Sequence, residues 1–251
     1  MKGQTVILAG GSGGIGAALA DWVASRGGIP VIGCRSNAER ARSLAARIEQ
    51  RHAVAAPVVV GDVLEPGVRE ALWAAAAGVG DLYGLVPLVG EPARVAIEDA
   101  TVEDFLDSTR INFVAPMLLA RDFAARVGGH DASIVLVSTM QAVGIFPGST
   151  LYAAPKAALI HAMKILAHQW GGSARLRVNA VAPGVTTSGM AEKSVGDGKY
   201  DPFIENDVIT RFGRAGDVAE AIGLLLRPDS YITGQLITVD GGLTLRFVAS
   251  L

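Results

Sequence analysis

The stretch TVILAGGSGGIGAALADWVASRGG, residues 5–28, narrows the fold more than any other part of this chain. A short apolar run ends in the glycine-rich turn AGGSGGIG (9–16), and an alanine-rich amphipathic segment follows over 15–27. In the order strand, glycine turn, helix, glycines let backbone approach a pyrophosphate, and the helix N-terminus offers unpaired N–H groups and positive dipole. Without that order the same glycines describe only a flexible turn. Gly10, Ser12, Gly14, Ile15 and Gly16 are the candidate cofactor-binding residues here.

The rest of the chain repeats the alternation. Apolar runs at 29–34, 57–62, 81–90, 132–138, 176–183 and 234–242 read as strands, and segments at 37–52, 65–77, 101–127 and 151–170 carry helical periodicity. Continuous apolar strands separated by helices predict an α/β chain with a doubly wound, mainly parallel sheet of about seven strands and helices on both faces. Thr101 and Asp104 form a capping box for the long helix, and Pro116 is expected to bend or locally break it. Asp217 with Glu220 reads as a second capping box, and Asp240-Gly241-Gly242 as a turn. No composition shift marks a linker, so residues 1–251 are expected to form a single domain. The polar, glycine-containing segment 186–213 is expected to be a binding loop or lid.

Half the residues are hydrophobic, 18% are charged and the net charge is −2, with no block of Lys or Arg. That favours a large core and argues against a nucleic-acid partner. The single cysteine, Cys34, rules out an intrachain disulfide and a cysteine-based metal cluster, and the four histidines lack ligand spacing, so no metal is expected. No apolar run reaches 18 residues and no leader pattern opens the sequence, so no membrane span and a cytoplasmic location are expected.

Tyr152 and Lys156 lie four apart on a predicted helix and share one face. An ammonium beside a phenol lowers its pKa from a reference near ~10, which suits proton exchange with an alcohol. Ahead of them, SIVLVSTMQAVG (133–144) sets Ser138 next to Thr139 at a strand end, fourteen and thirteen residues before Tyr152. Neighbours on a strand project to opposite sides, so only one hydroxyl can face a cofactor. Asn112 falls within the long helix.

The spacing of Gly10, Gly14 and Gly16, with Ile15 between the last two, resembles the TGxxxGIG signature of the short-chain dehydrogenase/reductase family, with Ala9 where threonine is usual. Asn112, a hydroxyl, Tyr152 and Lys156 resemble that family's Asn–Ser–Tyr–Lys tetrad, and the resemblance spans nearly the whole chain. It implies a Rossmann-type fold and an NAD(P)(H)-dependent oxidoreductase that interconverts a ketone and a secondary alcohol by hydride transfer. Tyr152 would be the acid or base, and Lys156 would hold the nicotinamide ribose. Asn112 would support a water-linked relay to Lys156. The family spacing selects Thr139 as the hydroxyl that positions the carbonyl, where serine is usual.

Four more segments carry cofactor expectations. The second strand ends Gly33-Cys34-Arg35-Ser36 with no carboxylate for a ribose 2′-hydroxyl. Arg35, with Ser36, would instead meet a 2′-phosphate, so NADP(H) is preferred and NAD(H) stays open; the lesser alternative is that Arg35 is simply a solvated loop residue. By resemblance Asp62 and Val63 would border the adenine, although Asp62 taken alone reads as a strand-end cap. Pro183, Gly184 and Val185 would meet the nicotinamide carboxamide, and Ser188 the diphosphate.

Two departures from the family stand out. LVPLVG (85–90) replaces the usual LVNNAG, keeping Gly90 but losing two amides and a backbone donor at Pro87. Pro155 removes a helical N–H and should strand the Leu151 carbonyl, with a bend possible in the helix that bears Tyr152. Met140, Ile145, Phe146, Met190 and Phe203 are the candidate substrate-binding residues, and their character suggests a hydrophobic or amphiphilic carbonyl. The competing reading is a catalytically idle dinucleotide-binding sensor or scaffold. Family resemblance implies a homotetramer, with the apolar face of 156–170 and the tail 243–251 available for burial between copies.

Overall fold

The computed structural model describes residues 1–172 and 175–246. In chain order the elements are β1 (Gln4–Ala9), α1 (Gly14–Ala24), β2 (Ile29–Cys34), α2 (Ala38–His52), β3 (Val58–Val60), α3 (Pro66–Ala77), β4 (Asp81–Pro87), α4 (Val102–Thr109), α5 (Ala115–Ala124), β5 (Ala132–Val137), α6 (Thr150–Trp170), β6 (Leu176–Pro183), the short α7 (Glu192–Gly196) and α8 (Pro202–Glu205), α9 (Ala215–Leu226), β7 (Leu236–Val239) and α10 (Leu243–Arg246). The strands pair in the order β3-β2-β1-β4-β5-β6-β7, every pair parallel. This is the doubly wound seven-stranded sheet that the alternation predicted.

Helices cover both faces because the strands are apolar on both. Leu19 and Val23 of α1, Ile48 of α2 and Ile222 of α9 build the core on one side. Leu72 of α3, Leu119 and Phe123 of α5, and Leu159 and Met163 of α6 build it on the other. The strand order reverses between β1 and β4. A crevice therefore opens at their carboxyl ends, where ligands of such sheets bind.

The expected long helix over 101–127 is divided. The capping box forms as predicted, with the Thr101 N–H donating to Asp104 Oδ2 at 2.9 Å. After α4, residues Arg110–Val114 widen into a π turn, in which the Ala115 N–H reaches the Arg110 carbonyl. Pro116 explains the position. It has no N–H for the Asn112 carbonyl and its ring would press on that carbonyl, so the chain takes one wide turn. The proline then sits in the first turn of α5, where a missing N–H costs least.

The second predicted capping box is shifted by three residues. Asp217 accepts from the Arg214 N–H at 2.8 Å and so closes the start of α9. Glu220 instead accepts from Trp22 Nε1 at 3.0 Å, tying α9 to α1. The segment 186–213 contains α7 and α8, and its base is pinned. The Gly213 N–H donates to Val185 O at 2.8 Å, and the Thr187 N–H to Gly213 O at 2.9 Å. Its underside packs on a small third core of Met140, Val185, Ile209 and Leu243.

The predicted turn follows β7, with Gly241 and Gly242 at φ 68° and 84° and Asp240 accepting from the Gly242 and Thr244 N–H groups. Of the apolar tail, residues 247–251 lie outside the described residues. Among the described residues no helix is long and apolar enough to cross a membrane.

Candidate functional site

A cleft of about 510 Å³ lies at the carboxyl ends of β1 and β4, within the size range of small-molecule sites. Gly10, Gly14, Ile15 and Gly16 line one end of it; Ser12, in the same turn, does not. Across from the glycines the base of the 186–213 segment closes down. A Cβ at Gly14 would stand 2.5 Å from Ser188 Cβ and 2.6 Å from its hydroxyl. That hydroxyl is buried and has no hydrogen-bond partner among the described residues. An unpaired hydroxyl facing a helix N-terminus is a fitting cradle for a diphosphate, so these residues suit a dinucleotide.

Pro183, Gly184 and Val185, leaving β6, line the far wall together with Thr139, Tyr152 and Lys156. Thr139 is extended at φ −157° and ψ 152°, and its Oγ1 accepts from the Gln141 N–H at 3.3 Å. Its hydroxyl also acts on the Tyr152 phenol, drawing that phenol's pKa downward. The Ser138 hydroxyl turns to the helix instead, donating to the Lys156 carbonyl at 2.8 Å.

The expectation of a phenol held below its ordinary value is not met. Burial pushes the Tyr152 pKa up to about 12, against a smaller downward pull from the Thr139 hydrogen bond. Lys156 does not offset this, because its Nζ donates to the carbonyls of Val89 at 3.2 Å and Val137 at 3.0 Å. Burial in turn brings the Lys156 ammonium down to about 8. Loss of hydration around the phenol outweighs the pull of the Thr139 hydroxyl.

Asn112 sits in the π turn, fully buried. Its Oδ1 accepts from the Glu91 N–H at 3.1 Å, while its Nδ2 donates to Glu91 O at 3.0 Å and to Ser108 Oγ at 3.1 Å. Gly90 makes this approach possible, since a Cβ there would lie 3.0 Å from Asn112 Oδ1 and 3.1 Å from Lys156 Nζ.

The two proline departures are absorbed locally. Pairing of β4 with β5 ends at Leu85–Ile134, so at Pro87 no ladder bond toward β5 is lost. On the other side the Leu88 N–H still donates to Ala9 O at 2.7 Å. Helix α6 runs unbroken from Thr150 to Trp170 with Pro155 inside it. The Leu151 carbonyl is not stranded, because Ser108 Oγ donates to it at 2.6 Å.

Arg35, Ser36, Asp62, Val63, Gly90 and Ser188 do not line the cleft itself. Arg35 is exposed and pairs with Glu91 at 3.6 Å. Asp62 Oδ1 accepts from the Leu64 N–H at 2.8 Å, shaping the loop after β3. Arg69 holds the same loop from α3, donating to the carbonyls of Val63 and Leu64 at 2.8 and 3.0 Å, and pairs with Asp122 at 2.7 Å. Sequence reasoning missed Arg69; its only signal is a charge among the apolar positions of a helix.

The substrate candidates separate. Met140 and Met190 line the cleft, together with Gln141, Arg94 and Tyr200. Phe146 and Phe203 pack against the third core instead. Ile145 is 82% exposed and does not line the cleft.

Comparisons agree with this geometry. The family described as enoyl-(acyl carrier protein) reductase matches residues 9–244. A 7alpha-hydroxysteroid dehydrogenase of Bacteroides fragilis is 31% identical over 251 residues, covering 97% of this chain and 95% of that protein. Gluconate 5-dehydrogenase of Gluconobacter oxydans is 30% identical over 253 residues, covering 98% and 96%. The solved angucycline C-6 ketoreductase LanV with bound NADP superposes with a TM-score of 0.87 at 26% identity, covering 97% of this chain and 96% of that one. With the glycine cradle after β1, the strand order and matches along almost its entire length, the chain belongs to the short-chain dehydrogenase/reductase family of oxidoreductases.

Proposed function

We propose that this protein interconverts a ketone and a secondary alcohol using a nicotinamide cofactor, with NADP(H) preferred. The observation that carries the reading is the convergence of Thr139, Tyr152 and Lys156 on the cleft that the glycine cradle opens into. When bound, the reduced nicotinamide supplies the hydride that adds to the carbonyl carbon. Tyr152 gives its phenolic proton to the carbonyl oxygen. At a pKa of about 12 the phenol is protonated at neutral pH, which is the form that reduction needs. Lys156, held on the carbonyls of Val89 and Val137, would bind the nicotinamide ribose, and the Thr139 hydroxyl donates to the developing alkoxide. Asn112 holds the backbone beside Lys156, and Pro116 removes the N–H that would otherwise occupy the Asn112 carbonyl. That carbonyl is suited to a water leading toward Lys156.

Arg35 supports NADP(H), since its guanidinium can leave the exposed Glu91 pairing for a 2′-phosphate. Met140, Met190 and Val185 give the substrate end an apolar character, which favours amphiphilic carbonyls. The relatives' named activities, on a hydroxysteroid and on gluconate, put sterols and polyols beside oxoacyl thioesters in the panel to be tried. Val102, Phe105 and Leu106 are exposed at i, i+3 and i+4 on α4, and they support burial between copies in a homotetramer. The deciding experiment is fluorescence titration with NADPH and NADH, followed by that carbonyl panel. Turnover with NADPH bound more tightly is expected. Tight binding with no turnover of any carbonyl or alcohol would mean an idle sensor and overturn the enzyme reading.

A further inference from the structure

Pro155 deletes a hydrogen bond, and a residue far away in sequence restores it. In an α-helix the Leu151 carbonyl pairs with the N–H of residue 155, which proline lacks. Ser108, on α4, donates to that carbonyl at 2.6 Å. Both residues are buried, at 6% and 3% exposure, so neither oxygen has ready recourse to solvent.

A serine hydroxyl carries one hydrogen. Given to Leu151, it leaves Ser108 Oγ as an acceptor toward Asn112, whose Nδ2 donates to it at 3.1 Å. This fixes which end of the Asn112 amide faces Ser108, and reinforces the orientation in which Glu91 donates its N–H to Oδ1 at 3.1 Å and accepts from Nδ2 at 3.0 Å. One chain of hydrogen bonds then runs from the loop after β4, through the π turn and α4, to the residue that precedes Tyr152.

We propose that Ser108 is a positioning residue. It replaces the missing N–H of Pro155 and, with the same hydroxyl, orients Asn112 against the turn of α6 that bears Tyr152. The catalytic half rests on the proposed function of Asn112 and Tyr152; the structural half does not.

The test is a cycle of wild type, Ser108→Ala, Pro155→Ala and the double variant, followed by thermal unfolding and steady-state carbonyl reduction. Ser108→Ala should lower Tm by roughly 5 °C in the wild-type background, and by less than about half of that in the Pro155→Ala background, where position 155 supplies an N–H. Catalysis should behave differently. Ser108→Ala should lower kcat about tenfold with KM within about twofold and displace the kcat pH profile, and Pro155→Ala should not restore it because Asn112 Nδ2 still lacks one of its two acceptors, keeping only the Glu91 carbonyl. Equal Tm losses in both backgrounds would overturn the replacement of the Pro155 N–H. A wild-type kcat and pH profile in Ser108→Ala, or kinetic rescue by Pro155→Ala, would overturn the positioning role. A wild type that turns over no carbonyl overturns the catalytic half together with the proposed function, while the unfolding cycle still decides the structural half.

Discussion

Two adjacent hydroxyls, Ser138 and Thr139, are buried to similar degrees but have different partners. Thr139→Ala removes the hydroxyl that acts on the Tyr152 phenol and should lower kcat by about 100-fold or more. Ser138→Ala loses one bond to the Lys156 carbonyl, which should cost about 1 kcal/mol of stability and leave kcat within a few-fold of wild type. Steady-state kinetics of the two variants separate the roles, and the reverse ranking would refute them. Titration gives a second residue-level outcome. Lys156 is at about 8 in the fold against 10.5 ordinarily, so between these values the unfolded chain holds a proton that the folded one has released. Stability therefore rises with pH across that window. Tyr152 acts the other way: from its ordinary 10.0 to about 12, only the unfolded chain ionises, and stability falls. Urea-unfolding midpoints should climb from about pH 8 to 10 and decline above it. Lys156→Met should abolish the climb; a climb that persists refutes the assignment. Tyr152 and Lys156 stood out because four residues make one helical turn, whereas strand alternation left Ser138 and Thr139 open and only the family spacing chose Thr139. Ser108 did not stand out, since its bond to Leu151 spans 43 positions and no local pattern announces it.

Elements were readable wherever periodicity ran uninterrupted, the break expected at Pro116 included, and misread where a distant partner intervened. β2 and β6 match their apolar runs to the residue. The helix over 101–127 did not survive as one, because the clash that Pro116 brings is relieved upstream by a wide turn rather than by a kink at the proline itself. Glu220 belongs to Trp22 across the α1–α9 contact, a pairing that a capping pattern cannot encode. At the N-terminus of α1 the fit against the 186–213 segment is tight enough to test. Gly14→Ala sets a Cβ 2.5 Å from Ser188 Cβ, so one of the two backbones must shift. Fluorescence titration should show NADPH affinity reduced at least about tenfold with the fold retained. Unchanged affinity would mean that Ser188 does not close over the cradle.

At the scale of the molecule, the doubly wound sheet and its crevice followed from alternation of apolar strands with helices, and no residue-level detail was needed. Association of copies was less legible, because an exposed apolar stripe looks like a core stripe until the fold shows what covers it. Val102, at 68% exposure, with Phe105 and Leu106 is such a stripe on α4. Light scattering should return a mass near four chains, and Leu106→Glu should lower it; a monodisperse single chain contradicts the tetramer. Because the Gly213 N–H closes on Val185, the two ends of the 186–213 segment stay neighbours whatever lies between them. Doubling the length of such an excursion adds only about 0.6 kcal/mol of closure cost. Evolution can therefore rewrite this stretch as an exchangeable cassette. Specificity can drift there while the sheet stays constant, provided that apolar residues such as Ile209 still meet Met140 and Val185 beneath it.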